Sequence, residues 1–385
     1  MLEHIIDLKI ESLPSECAEL RRDVRSFLRE ELEAGRFEPK IDSWLRGFDR
    51  EFSRRLGGRG WVGMTLPKQY GGHGRSQRER FVVIEELLAA GAPVASHWVA
   101  DRQIAHSILN FGSEKQKQKY LPAIASGGYV VGAGYSEPDV GSDLASVRTS
   151  AERIDGGWRI SGTKVWTSHG HHADFFVILC RTAPRGSERH EGLSMLMVDM
   201  PNPNLHIRPV LLMTGEHHFN EVVIDGVEVP DDMVLGEVGQ GWRIITADLA
   251  LERSGPERFM STYRLLVEMA RRASDTGDTV ARRSVAELLA RLWTLRSMSL
   301  AVAVTMDRGR SPGVEAAVVK DMGTRFEKDV GEVARQIFAA EPDLDATDPF
   351  VRHLAMSVMH SPAYSLRGGA NEILRGIIAR GIGLR

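Results

Sequence analysis

The spacing of the apolar residues changes twice along this chain, and these changes constrain its fold more than any other feature. Residues 15–125 carry apolar side chains at helical spacing, as at Leu20 and Val24. Between residues 127 and 230 the apolar segments become short, β-branched and alternating, and glycine, proline and asparagine separate them. After Gly241 the helical spacing returns and continues along the rest of the sequence.

This order of elements predicts an α+β fold in which a β domain is inserted between helical ones. We predict an N-terminal helical domain over residues 1–126, a middle antiparallel β-barrel or sandwich over 127–235, and a C-terminal helical bundle over 236–385. Two local signals refine the helices. Ser15 is placed to cap the first helix, and the run Ser113–Gln116 predicts a capping box.

Composition sets limits on partners and location. The chain has 385 residues and a net charge of −3, and it has no Lys/Arg block long enough for a nucleic-acid footprint. No apolar run approaches the roughly 18 residues that span a bilayer, so we expect no membrane span. The N-terminus lacks the pattern of a secretory signal, and the two cysteines, Cys17 and Cys180, fit a reducing interior. We expect a cytoplasmic protein.

Two motifs in the β region suggest a site for a flat ring. The run Gly134–Thr149 packs glycines, a proline and small hydroxyls into a turn, where backbone N–H groups can approach a ligand closely. The run Gly162–Ser168 reads as a strand in which Trp166 and Ser168 share one face. An aromatic wall beside a hydrogen-bond donor suits a heteroaromatic ring. Each motif alone is more often structural, a plain turn or a core tryptophan.

Together these motifs resemble the acyl-CoA dehydrogenase flavoenzymes, and the resemblance covers nearly the whole chain. Five ordered matches carry it: the Ser-Glu-Pro run and the Trp-Thr-Ser strand above, then Val227–Pro230 with Gly239–Trp242, Glu252-Arg253, and Gly369–Arg375. The resemblance implies the three-domain architecture, with the last helices forming a bundle at the centre of an oligomer.

The resemblance implies FAD as cofactor. It assigns hydrogen bonds with the ring edge and the pyrophosphate to Ser136 and Ser142, stacking to Trp166, a contact with N5 to Ser168, and cofactor contacts to Arg282 and Glu372, with Arg283 as a rival for Arg282. The family's glycine-rich adenine loop corresponds to residues 338–345, which here contain no glycine, and Ala370 replaces a common threonine. Both departures weaken the adenine half of the expected site.

The family's reaction removes the α-proton of an acyl thioester while the β-hydrogen leaves as hydride to flavin N5. The base must lie close and have its pKa raised toward neutrality, which burial of a carboxylate achieves. Many members carry this glutamate just before the final helix, but here that position is Gly368. Its backbone N–H remains able to polarise the thioester oxygen. Other members place the base where this chain has Glu252.

Glu252 falls on the apolar stripe of its helix, three residues after Leu249, and is predicted to be the base. The competing hypothesis is a surface acid in a salt bridge. Its neighbours at i±3 and i±4 include no basic residue, but a partner from another element stays open. Pro256 should interrupt the helix just beyond it. Glu372 is the rival acid, and Arg253 is assigned to substrate binding.

The remaining candidates are a short cluster of histidines and Lys164. We expect Lys164 to be a solvated strand residue. The histidines are His169, His171, His172, His217 and His218. A metal site would need a defined set of ligands, and no other feature of the sequence supplies one. We therefore predict that these histidines lie on loops of the β domain and bind no metal.

The leading hypothesis is an FAD-dependent dehydrogenase that converts an acyl-CoA to the trans-2-enoyl-CoA and passes electrons to an electron-transfer flavoprotein or a similar acceptor. The Gly-Gly closing motif resembles a bacterial subgroup that handles bulky or branched acyl chains, and some of its members pair with a different subunit. We expect a dimer or tetramer. The alternatives are an FAD-poor, non-catalytic partner subunit, and an acyl-carrier-protein dehydrogenase or flavin monooxygenase on the same fold.

Overall fold

The structure is a computed structural model that describes Leu8 and residues 11–384, except for the side chains of residues 250 and 251. By the density of internal contacts the chain divides into two compact units. The helical unit comprises residues 1–48, 75–94 and 250–385, and the sheet unit comprises residues 49–74 and 95–249. The three domain ranges given above stay predictions.

Helices occupy both ends of the sequence, and strands occupy its middle. In chain order the α-helices are α1 (Ser15–Glu33), α2 (Ser43–Arg46), α3 (Arg50–Gly58), α4 (Gln77–Ala89), α5 (Ala95–Val99), α6 (Ala105–Phe111), α7 (Glu114–Ala125), α8 (Gly241–Glu252), α9 (Tyr263–Thr276), α10 (Thr279–Asp307), α11 (Gly313–Ile337), α12 (Pro349–Tyr364) and α13 (Asn371–Gly381). The strands are β1 (Val131–Gly134), β2 (Ser150–Ile154), β3 (Gly157–Ser168), β4 (Phe175–Arg181), β5 (Leu193–Asp199), β6 (Leu205–Leu211), β7 (His217–Pro230) and β8 (Val234–Leu235). The helix–sheet–helix order is as predicted.

The strands form one sheet in the order β6-β7-β3-β2-β4-β5-β8, with β1 paired to β4. Most pairs are antiparallel, but β1 and, at a single residue pair, β2 run parallel to β4. A parallel pair needs a long connection, and β2 and β3 supply it for β1 and β4. Helices of the same unit cover the sheet: the ring of Tyr120 on α7 lies 4.6 Å from that of Phe175 on β4, inside the main hydrophobic core.

The two cap predictions had opposite outcomes. The capping box is confirmed: the Ser113 hydroxyl accepts from the Gln116 N–H, and the Gln116 side chain accepts from the Ser113 N–H. The Ser15 cap is wrong. Pro14 precedes the first turn of α1, and Ser15 is already helical, with its hydroxyl directed at the Glu16 carboxylate. A proline's fixed φ suits the start of a helix.

In the helical unit, α11 packs against α10, α12 and α13. The polar segment between α11 and α12 is an exposed loop. By length and mean hydropathy α10 could cross a membrane, and half of its most apolar window is buried inside the protein. Sequence reasoning, which found no apolar run of that length, missed this helix, and the expectation of no membrane span stays a prediction.

Candidate active site

The Ser-Glu-Pro loop follows β1 and is tied to the neighbouring strand. Glu137 and Val140 exchange two backbone hydrogen bonds of 2.8 and 3.0 Å, which close a tight turn. The Val165 N–H on β3 donates to the Ser136 carbonyl at 2.9 Å. Ser136 is half-buried, whereas Ser142 is exposed. The loop thus presents both predicted serines from a fixed backbone.

Lys164 is not the solvated residue that we predicted, because its side chain is 0% exposed. Its ammonium donates to Glu137 Oε1 at 2.9 Å and to the Tyr135 carbonyl at 3.1 Å. Glu137 also accepts from the Arg148 and Thr149 backbone N–H groups and from the Thr149 hydroxyl. The lysine is buried because its partner, from the Ser-Glu-Pro motif, is buried with it. This pair joins the two motifs that the sequence singled out.

The pKa shifts of this pair follow from burial and charge. Burial opposes ionisation of Glu137, but the Lys164 ammonium and the donors of Thr149 and Arg148 outweigh it, so the pKa of the carboxyl lies below its usual value. Burial lowers the pKa of Lys164, against the opposing attraction of Glu137. The sheet unit therefore holds a compact ion pair directly beneath the loop.

Trp166 stands on an irregular part of β3. The β3–β7 register shifts between Lys164 and Thr167, and Trp166 has φ of 62°. A positive φ is strained for a bulky side chain, and such strain concentrates at functional sites. The indole is 56% exposed and meets the Phe219 ring edge-on at 5.7 Å. Thr167 is buried while Ser168 is half-buried, which agrees with Trp166 and Ser168 sharing the outer face.

The five histidines gather at one end of β3 and β7. Three lie on or beside the turn after β3, but His217 and His218 begin β7 instead of lying in a loop. The His171 ring stacks on that of His217 at 3.9 Å. Burial, then the nearby histidines, lowers the pKa of His171 to about 4. Among the described residues no group of three or more His, Cys, Asp or Glu side chains is arranged to hold a metal ion.

Glu252 is the last residue of α8, and the chain then turns through a 3-10 segment at Pro256–Arg258. The helix therefore ends before Pro256, as predicted. The side chain of Glu252 is 19% exposed, and its Oε1 accepts from Arg258 Nη2 at 2.8 Å. Arg258 is thus a partner from another element, which the sequence left open, and the salt bridge of the competing hypothesis is present, although Glu252 is only partly exposed. The sequence signal of Arg258 was weak, because it lies six residues away and beyond the helix end.

Gly368 lies in the loop between α12 and α13, with φ of 69°. Its carbonyl accepts from Arg253 Nε at 3.2 Å, so Arg253 contacts the backbone of this loop. A side chain at Gly368 would collide with Arg258, since a Cβ there would lie 2.9 Å from the guanidinium carbon. Within the described residues the Gly368 N–H donates to no backbone acceptor. The N–H that we expect to polarise the thioester is therefore available.

Lys320 on α11 supports the same loop. Its ammonium donates to the Gly369 carbonyl at 2.6 Å, to the Ser365 carbonyl at 3.3 Å and to the Asn371 side chain at 2.7 Å. Burial, then repulsion by Arg258 and Arg367, lowers the pKa of Lys320 to about 7. Sequence reasoning missed this residue, because nothing in its helical context distinguishes it from a surface lysine.

The remaining cofactor candidates lie on the surface of the helical unit. Arg282 Nε and Nη2 each donate at 3.1 Å to carbonyls in the last turn of α9, those of Ala273 and Ser274. Arg283 pairs with Glu287 one turn along α10, and both are exposed. Glu372 is exposed in the first turn of α13. The structure thus gives Arg282 a capping role whether or not it also reaches a cofactor.

Three family descriptions match consecutive parts of the chain: the acyl-CoA dehydrogenase N-terminal domain at residues 14–128, the middle domain at 132–227 and the C-terminal domain at 239–383. The chain belongs to the acyl-CoA dehydrogenase family, and it is an oxidoreductase with FAD as its cofactor. It acts, in general terms, in the FAD-linked dehydrogenation of acyl-CoA.

Individual relatives and solved structures show which members of the family this chain resembles. The acyl-CoA dehydrogenase IpdE1 of Mycobacterium tuberculosis is 34% identical over 378 residues, which is 94% of this chain and 96% of the relative. A solved structure named Tcur3481-Tcur3483 steroid ACAD is 29% identical, with a TM-score of 0.83 over 99% of this chain and all of that one. The ChsE4-ChsE5 complex of Mycobacterium tuberculosis is 28% identical, with a TM-score of 0.79 over 97% of this chain and 99% of that one.

The sheet unit fits the flavin half of this cofactor. The indole of Trp166 is more than half exposed on a strained strand and makes an edge-to-face contact with Phe219, so it is accessible for stacking. Ser136 stands beside it on a loop held by the Glu137–Lys164 pair. The adenine half finds less support, because Arg282 is already hydrogen-bonded and the loop over residues 338–345 lacks glycine.

Proposed function

We propose that this chain converts an acyl-CoA thioester to the trans-2-enoyl-CoA, with Glu252 removing the α-proton. One observation carries the proposal. Arg258 Nη2 lies 2.8 Å from Glu252 Oε1, while the guanidinium lies within about 3 Å of where a side chain at Gly368 would begin. The Glu252 carboxylate is therefore close to the position from which other members, by resemblance, present their base.

The other residues act on the substrate's thioester and on the loop that meets it. The Gly368 N–H would donate to the thioester oxygen and stabilise the charge that develops when the α-proton leaves. Arg253, through its bond to the Gly368 carbonyl, would fix the direction of that N–H. FAD, when bound, accepts the β-hydrogen as hydride. Residues proposed to hold it are Ser136, Ser142, Trp166, Ser168, Arg282 and Glu372.

The proposed substrates are bulky or branched acyl-CoA thioesters of the steroid side-chain type. Support comes from the relatives, since one solved neighbour is named a steroid ACAD. We also propose a cytoplasmic enzyme that passes electrons to an electron-transfer flavoprotein or a similar acceptor. A homo- or hetero-oligomer is favoured by exposed apolar side chains on the helical unit, such as Leu289, Trp293 and Leu366.

The decisive experiment replaces Glu252 by glutamine and measures flavin reduction by acyl-CoA under anaerobic conditions. The amide cannot accept the α-proton, so we expect reduction to fall by at least about a thousandfold while flavin stays bound. The probes are octanoyl-CoA, isovaleryl-CoA and a steroid side-chain CoA thioester. Reduction of Glu252→Gln at the parental rate would disprove the role of Glu252. The same conclusion would follow if Glu372→Gln lost activity while Glu252→Gln kept it.

A second function, an FAD-poor partner subunit, is favoured by one specific observation. The guanidinium of Arg282 is occupied at the end of α9, and the adenine-side loop carries no glycine. The protein purified alone distinguishes the two functions. A yellow protein with a flavin spectrum supports the enzyme, whereas a colourless protein that gains flavin only with a partner supports the subunit.

A further inference from the structure

Arg258 contacts Glu252 twice and is itself held on several sides. Its Nε donates to the Glu252 carbonyl at 2.9 Å, and its Nη2 donates to Glu252 Oε1 at 2.8 Å. The side chain is 1% exposed, and its guanidinium lies 5.3 Å from the centre of the Trp44 ring. Its carbonyl lies against Gly323, where a Cβ would come within 2.4 Å. The buried Arg258 side chain therefore donates to both the backbone carbonyl and the carboxylate of Glu252.

This pair of hydrogen bonds can restrain Glu252, which is the last residue of its helix. The carbonyls of a final helical turn lack intrahelical partners, and a terminal side chain is otherwise poorly restrained. Arg258 supplies a partner for the terminal carbonyl and a direction for the carboxylate at once. An adjacent cation also opposes the raised pKa that a base needs, so the contribution inferred for Arg258 is the direction of the carboxylate and not its basicity.

The space that Arg258 occupies exists only because Gly368 has no side chain. A Cβ at Gly368 would lie 2.9 Å from the guanidinium carbon and from Nη2, and 3.0 Å from Nη1. These are closer than atoms approach without displacement. A chain with a glutamate at this position could not hold Arg258 where it is here. The glycine and the arginine therefore form a single arrangement.

We propose that Arg258 is a positioning residue that orients Glu252 for proton abstraction, and that Gly368 lacks a side chain to give it room. This inference rests on the proposed function of Glu252. It goes beyond that function because it makes two further residues determine the geometry of the base: a buried arginine, and a glycine that is distant in sequence. A misplacement of about 1 Å in such a geometry can cost on the order of a hundredfold in rate.

Other charges near Glu252 define what the test must separate. Arg253 and Lys320 both interact electrostatically with Glu252, and Glu257 lies 3.7 Å from Arg258 Nε. The three atoms nearest to a Cβ at Gly368 all belong to the guanidinium of Arg258. Substitution at Gly368 therefore displaces Arg258 while every charge is kept, but it can also disturb the Gly368 N–H that is proposed to meet the thioester, so the Arg258 variants are needed beside it.

The experiment measures anaerobic flavin reduction by stopped flow, with whichever of octanoyl-CoA, isovaleryl-CoA and the steroid side-chain thioester reduces the parent fastest. Arg258→Gln and Gly368→Ala should each lower the saturating rate by about a hundredfold, with the Kd for that thioester and the flavin spectrum unchanged. Arg258→Lys should recover at least about tenfold of the loss, since it restores a donor and a charge. The double variant Arg258→Gln/Gly368→Ala should lose no more than the worse single variant.

Gly369→Ala is the matched control. Gly369 also has a positive φ, 93°, so alanine carries a similar backbone strain, but the nearest atom to its Cβ is Arg253 Nη2 at an ordinary 3.4 Å. We expect its rate to stay within about threefold of the parent. If Arg258→Gln does not fold, Arg258→Lys takes its place, because it moves the cation and leaves the Gly368 N–H unchanged; a parental rate in Arg258→Lys together with a parental rate in Gly368→Ala would overturn the inference.

Three results would overturn the inference: a parental rate in Gly368→Ala, equal losses in the two glycine variants, or a weakened Kd that accounts for the whole loss. They differ from failure of the proposed function. If no acyl-CoA reduces the parent, or if Glu252→Gln reacts normally, the function is wrong. If the parent reacts and Glu252→Gln is inactive while Gly368→Ala is normal, only the role of Arg258 is wrong.

Discussion

The two units each contain a glutamate paired with a buried cation, and the two pairs differ in what surrounds the carboxylate. Glu137 in the sheet unit accepts from Lys164, from two backbone N–H groups and from a hydroxyl, and it is 7% exposed. Glu252 in the helical unit ends a helix, is 19% exposed and pairs with Arg258. Glu137 cannot leave its place without orphaning several donors, whereas Glu252 can be reached from outside.

The difference indicates how one kind of ion pair can serve two purposes. A buried pair adds little net stability against an apolar replacement, but breaking it by removing one partner is costly. At Glu137 that cost keeps the Ser-Glu-Pro loop against β3. At Glu252 the exposed part of the carboxylate leaves room for a substrate while the cation fixes its direction. The loop pair should therefore govern stability, and the helix-end pair should govern reactivity.

The largest effect expected is on folding. Lys164→Met should lower the free energy of unfolding by about 3 to 5 kcal/mol, because it leaves a carboxylate buried without its cation. Glu137→Gln should have a smaller effect of the same sign, since the amide oxygen still accepts from Arg148 and Thr149. Thermal unfolding followed by circular dichroism measures both. Their double variant should lose less than the sum of the two single losses.

Glu252→Gln is the matched comparison for stability. Its amide oxygen can still accept from Arg258, the backbone bond to Arg258 remains, and the site is partly exposed, so we expect a loss of about 1 kcal/mol. If Glu252→Gln destabilises the protein as much as Lys164→Met, the distinction between the two pairs fails.

A smaller effect is expected on flavin retention. Trp166→Ala removes an exposed indole and so should leave the melting temperature nearly unchanged, but loss of stacking should weaken flavin binding by about 1 kcal/mol, roughly fivefold. The flavin-to-protein ratio after gel filtration and the visible spectrum measure it. Met213→Ala, at another exposed apolar residue of the sheet unit, is the control and should retain flavin like the parent. An unchanged spectrum in Trp166→Ala would contradict the stacking role.

Several features of the fold could be predicted from short stretches of sequence, because they depend on interactions between neighbouring residues. The capping box at Ser113–Gln116 and the end of α8 before Pro256 depend on residues within one or two turns. The change from helical to alternating spacing marks the sheet, because burial of one face imposes a period of two. The flavin and base candidates came instead from the family resemblance, and their roles stay predictions.

What the sequence concealed depends on contacts between distant residues. Lys164 looked solvated because its partner, Glu137, lies 27 positions earlier and meets it only once β3 has folded beside the loop. Arg258 was hidden by the helix end, beyond which i±4 spacing no longer applies. The division into units is equally non-local: residues 75–94 join the helices of the C-terminal part, although they lie between segments of the sheet unit.

The smallest effect expected is a pH dependence that separates the histidine cluster from the Glu137 pair. His171 has a pKa of about 4 in the folded protein, against an ordinary value near 6.5, so the folded state binds fewer protons between these values. Stability contributed by neutral His171 is present above about pH 6.5 and is lost as the pH falls toward 4. The lowered pKa of Glu137 acts in a different window, because its contribution is lost only as the pH falls below the ordinary carboxyl range.

His171→Asn should therefore lose less melting temperature than the parent between pH 7 and pH 4.5. The groups that face His171 are His172, His217, His218 and Asn220, and the variant keeps all of them. His190→Asn, at a histidine outside the cluster that stacks on Trp242, is the control and should follow the parent. Parallel pH curves for His171→Asn and the parent would show that the acid sensitivity of the protein arises elsewhere, with the Glu137–Lys164 pair as the next group to test at lower pH.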